Sequence, residues 1–158
     1  MVSSTHETLD PSAEWRLPAQ VTLLYPFLHP SAINADVLRR LAEVVTRHRE
    51  FDVQVLQTKW LDEAILWLSP EPDLSFRHLT NALAATFPET PPNGGAILDP
   101  TPHLTVADGA SFHDMRHSES LVIRQLPVHA YFRYVSVMVG APKTNSWKTI
   151  ADIPLRKE

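Results

Sequence analysis

The sequence predicts one domain of mixed helices and strands, in which a β-α-β lobe is followed by a degenerate copy of itself. Three observations predict it: the order in which strand-like and helix-like runs alternate, a short polar motif recurring once in each half, and an ordinary globular composition. Hydrophobic residues make up 44% of the 158 residues and charged residues 20%, enough to bury a substantial core. With no cysteine, disulfide frameworks, thiolate nucleophiles and cysteine-bound metal are excluded. The net charge of −4 supplies no global basic field, so any RNA contact needs a local basic lining.

Residues 1–15 read as a loose polar tail and 16–158 as the folded domain. Ala19 to Tyr25 is rich in β-branched and apolar residues and is stopped by Pro26 and Pro30, which predicts a buried strand. Ile33, Val37, Leu41, Val44 and Val45 recur at helical spacing opposite Arg39, Arg40, Glu43, Arg47 and Arg49, the pattern of an amphipathic helix packed on a sheet. Phe51 to Thr58 alternates with period two, and Ala64 to Leu68 is a second strand-like run before Pro70, so an antiparallel pair is expected. A second helix begins near Asp73 or Ser75 as cap, shows Leu79, Leu83 and Phe87 on one face, and ends at Pro88. A loop rich in proline and glycine runs from Glu89 to Thr101. Then come a strand at His103 to Ala107, a helix at Ser111 to Gln125, one strong strand at Tyr131 to Val139, and a weaker strand around Trp147 to Leu155.

The repeat is concrete in Pro18-Ala-Gln20-Val-Thr22-Leu and Thr101-Pro-His103-Leu-Thr105-Val. Positions i and i+2 of a strand project from one face, so Gln20 with Thr22, and His103 with Thr105, each form a side-by-side polar pair. Taken singly, each threonine is also an ordinary strand former. Four such groups on otherwise apolar strands need a common reason.

The whole stretch Pro18-Ala-Gln-Val-Thr-Leu-Leu-Tyr-Pro-Phe27 resembles the first motif region of the bacterial two-histidine (2H) phosphoesterases, where His-Val-Thr-Leu-Leu-Tyr-Pro-Phe is usual. That superfamily contains the 2′,3′-cyclic phosphodiesterases and the 2′-5′ RNA ligase proteins. Leu66 to Pro72, Phe76 to Thr80, Phe87 to Pro92, Gly94-Gly95, Pro102 to Gly109 and Trp147 to Leu155 also look like that family, so the similarity spans nearly the whole chain. The resemblance implies an α+β, bilobal fold: two antiparallel sheets facing each other across a central cleft, helices outside. It also implies metal-independent hydrolysis without a cofactor, in which one histidine acts as base, the other protonates the leaving oxygen, and hydroxyls hold the phosphate.

Carried over residue by residue, His103 matches the second histidine, and Thr22 and Thr105 match the two phosphate-holding hydroxyls. Gln20 matches only the position of the first histidine, and a glutamine amide has no pKa near neutrality with which to exchange a proton. Further candidates for substrate contact are Tyr25, Tyr134, His129 and Arg133; Trp60 and Trp67 are alternative stacking faces. His29, nine positions after Gln20, would lie roughly 30 Å away along an extended strand and is a poor replacement. His48, His78, His113 and His117 fall in or near helical patterns as surface histidines. The expected ligand is a small phosphoester, a nucleotide or an RNA end, and the protein is expected to be a cytoplasmic monomer with no metal and no membrane segment. The alternatives are a pseudoenzyme that binds without turnover, and a cleft reassigned to other small-molecule, biosynthetic chemistry.

Overall fold

The computed structural model describes residues 20–61, 63–96, 101–108, 110–140 and 146–157; the expected N-terminal tail lies outside them. Among the described residues, two antiparallel sheets and three α-helices form an α+β fold. Helix α1 is Ala35–Val45, and the Asn34 side chain starts it by accepting a hydrogen bond from the Val37 amide at 3.1 Å. It buries Val37, Leu41 and Val45 and turns Arg39 outward to Asp36 and Glu43, as its periodicity requires. Strands β1 (Phe51–Leu61) and β2 (Ile65–Glu71) pair antiparallel, with a bulge between Val55 and Thr58. Helix α2 is Leu74–Thr86; its cap residue Asp73 makes no capping bond, because its carboxylate instead accepts from Arg77 at 2.7 Å. Strand β3 is Leu104–Asp108, and helix α3 is Phe112–Ile123, capped by Ser111 accepting from the Asp114 amide.

Two expectations fail here. Residues 20–28 form a series of bends rather than a strand. Their apolar side chains still find burial, since Leu23, Leu24, Phe27 and Leu28 pack on a hydrophobic core, so side-chain contact replaces the ladder that composition suggests. The run Tyr131–Val139 is also not one strand. It divides at Arg133 into β4 (Val128–Phe132) and β5 (Tyr134–Val139), and β4 begins earlier than the apolar pattern indicates. β4 pairs with β1, whereas β5 pairs with β6 (Lys148–Pro154). The sheets are thus β3-β2-β1-β4 and β5-β6.

Among the described residues there are two cores, and they do not follow the two halves of the chain. Helices α1 and α2 from the first half pack with β5 and β6 from the end, burying Val45, Leu79, Leu83, Phe87 and Ile153. Helix α3 from the second half packs on the large sheet, burying Leu66, Leu68, Val106, Met115 and Val122. Each such side chain contributes roughly 1.5–3 kcal/mol by leaving water. Phe51, Phe76 and Phe132 join α2 to the large sheet, with ring centroids 4.9 to 5.4 Å apart. Among the described residues no helix is long and apolar enough to cross a membrane.

Candidate functional site

Between the bent segment after Gln20, the start of β3 and the face of β5 lies a cleft of about 680 Å³. Gln20, Thr22, Tyr25, His103 and Thr105 all line it. The bends after Gln20 therefore deliver both residues of the first motif to the cleft without the strand that was expected to do so. His103 lies just before β3 and is exposed, while Thr105 stands within that strand. Val135 to Gly140 form the opposite wall, and Leu41, Thr80 and Leu83 of α1 and α2 close the inner side.

His103 is held from two directions. Its Nδ1 lies 2.8 Å from the Thr101 carbonyl oxygen. A carbonyl only accepts, so Nδ1 carries the hydrogen and Nε2 of the neutral ring keeps its lone pair. The ring edge meets Trp67 at 5.8 Å and 72°. Trp67 sits opposite Thr105 on one side and Lys59 on the other, and directly opposed residues share a sheet face. Lys59 places Nζ 5.2 Å from the Trp67 ring centre and 3.2 Å from the Ser69 hydroxyl. A cation and an aromatic face thus continue the row that begins at Thr105.

The other candidates are placed differently. His129 is exposed on β4 opposite Gln54, Arg133 is exposed at the joint between the sheets, and Tyr134 is exposed opposite Pro154; none of them is among the cleft-lining residues. Trp60 faces α3 and donates its indole N–H to Glu119 at 2.8 Å. His29 does line the cleft, contrary to the distance expected along a strand, because the segment bends. Its Nδ1 accepts from the Ser31 amide at 3.3 Å and so caps the short 3-10 turn Pro30–Ala32.

Lys59 and Ser136 belong to the site or its border and carry no sequence signal of their own; Asp108 and Trp147 line it and stand out in the sequence only as parts of the segments Pro102 to Gly109 and Trp147 to Leu155. Ser136 donates to Asp152 across β5 and β6 at 2.6 Å. Trp147 lies 6.3 Å from Tyr25, and its indole N–H is buried without a hydrogen-bond partner among the described residues. Gly140 gives Trp147 room, since a Cβ there would stand 2.5 Å from the indole Cδ2. Among the described residues no group of three or more His, Asp or Glu is placed to hold a metal ion.

The arrangement offers an anion hydroxyl donors on both motifs and the His103 imidazole; His29 also lines the cleft, but its Nδ1 is engaged by the Ser31 amide. No curated protein matches the chain. A family model described as the 2′-5′ RNA ligase superfamily matches residues 6–138, a stretch holding both motifs and the strands and helices between them. With most of its length matched, and with the two-sheet α+β fold of that family, the chain belongs to the 2′-5′ RNA ligase superfamily, the 2H phosphoesterases.

Proposed function

We propose that the cleft holds a phosphoester, as a cyclic phosphate, a nucleotide or an RNA end, and hydrolyses it slowly with His103 as the one proton-transfer histidine. The observation that carries this reading is that Gln20, Thr22, His103 and Thr105 line the same cleft. The Thr22 and Thr105 hydroxyls donate to the non-bridging phosphate oxygens, and the Gln20 amide adds a further donor without charge. For a cyclic phosphate, His103 Nε2 takes a proton from the attacking water as the new P–O bond forms. The bond to the ribose oxygen then breaks, and that oxygen recovers a proton from the same imidazolium or from solvent. Loss of one positioned proton-transfer group costs roughly 10²- to 10⁴-fold in rate, so turnover is slow.

The test is hydrolysis of a 2′,3′-cyclic nucleotide by the full chain and by His103→Ala. We expect slow product formation that disappears in the variant; equal rates in the two proteins overturn the proposal. The absence of a titrating group at Gln20 favours one second reading, a site that binds and does not turn over. Calorimetric binding of the nucleotide with no product after long incubation would select it.

A further inference from the structure

A second cavity lies where α1 ends and α2 begins; it shares no lining residue with the cleft and does not rest on the chemistry proposed there. Its volume is about 260 Å³, and Arg47, His48, Arg49, Ser75 and His78 line it together with Glu50 and Phe51. Ser75 and His78 come from the first turns of α2, and Arg47 to Phe51 come from the turn after α1 and the start of β1. Thr80, which lines the cleft, is five residues beyond Ser75 and two beyond His78 on α2, roughly 7.5 Å and 3 Å along the axis.

Three observations give the cavity its chemistry. First, the side chains of its arginines are unpaired among the described residues, as are those of Arg124 and Arg133 elsewhere. Arg39 and Arg116 each pair with a carboxylate, and Arg40 donates to the Thr86 carbonyl and covers the Phe87 ring. Arg47 and Arg49, in contrast, have no ion pair or side-chain hydrogen bond among the described residues. A third such arginine, Arg156, is brought alongside by a parallel bridge to Arg49, fixed by the Glu50 amide donating to the Arg156 carbonyl at 2.9 Å. Second, the lining holds a single carboxylate, Glu50, against two guanidinium groups; it accepts from the Tyr131 hydroxyl at 2.7 Å and keeps its charge. Third, α2 begins here with its capping carboxylate turned away to Arg77, so Asp73 does not cover the first amides of the helix.

From these we infer that the cavity is a binding site for a phosphate group, gripped by the Arg47 and Arg49 guanidinium groups and completed by Ser75, His48 and His78. Guanidinium forks match phosphate oxygens two at a time, and the start of a helix adds amide donors and a favourable dipole. The phosphate is either free or small, or it belongs to a nucleic acid strand. In the second case the strand gains a local basic anchor that the acidic chain as a whole does not provide.

The experiment is a titration of the full chain with sulfate, a divalent stand-in for phosphate, followed by amide NMR. We expect saturable shifts at His48, Ser75 and His78, weakened about tenfold or more in Arg47→Gln/Arg49→Gln, while the Thr101 to Thr105 signals of that variant stay at their wild-type positions. Shifts confined to Thr101 to Thr105, no saturable shift, or unchanged affinity in the double variant would each overturn the site. A second titration with a single-stranded oligoribonucleotide separates the sources. Affinity above that for sulfate and lost in the double variant assigns the site to nucleic acid phosphate. Affinity no better than sulfate assigns it to a small free anion.

Discussion

In the proposed mechanism, Gln20 is the residue on which the rate of turnover depends. Its amide reaches the cleft with Thr22, His103 and Thr105, so a histidine side chain placed there enters the same space. Restoring a titrating group opposite His103 is expected to raise cyclic-nucleotide hydrolysis about 10²-fold in Gln20→His, with the gain lost in Gln20→His/His103→Ala; steady-state kinetics on the two variants checks it. The four motif residues were legible because polar pairs two positions apart stand out in apolar surroundings. Lys59 was not, because only the strand register sets it opposite Trp67. Trp147 was not, because it comes to Tyr25 from far along the chain. His29 was misplaced by an argument that assumed an extended chain where the backbone bends.

At the scale of elements, the sequence located the three α-helices of the described residues to within a few residues, and each of them has one buried face, but not the short 3-10 turns Pro30–Ala32 and Pro92–Gly95. Periodicity failed where a strand changes partners. Nothing in the apolar run from Tyr131 to Val139 distinguishes the residues that pair with β1 from those that pair with β6. Helix α3 supplies the clearest energetic test. Its Glu119, nearly buried, accepts from the Thr58 hydroxyl at 2.7 Å and the Trp60 indole at 2.8 Å, and it pairs with Arg116. Glu119→Ala leaves two part-buried donors without their acceptor and is expected to lower stability by about 3 kcal/mol in urea denaturation. Glu119→Gln keeps a carbonyl acceptor and should cost less.

For the whole molecule, stability should depend on pH partly through the cavity at the end of α1 and α2. Burial, with a smaller contribution from the charge of His78, holds the His48 pKa below its ordinary 6.5. Below that value the unfolded chain binds a proton at His48 that the folded chain resists, so stability falls as pH drops through the window beneath 6.5. His48→Gln is expected to lose less stability than the wild type between about pH 7.5 and about pH 5.5, measured by thermal unfolding at the two values.

The division at Arg133 has a mechanical consequence. β4 ends and β5 begins on either side of this one residue, and its carbonyl accepts the Leu155 amide at 2.8 Å. Domains that close over a ligand rotate about a few residues free to change their backbone angles. Here the junction is a single braced residue, with one sheet leading to the His103 wall and the other forming the wall opposite. With so short a junction between its walls, the cleft is expected to keep its width when a ligand binds, and so to admit ligands by their size.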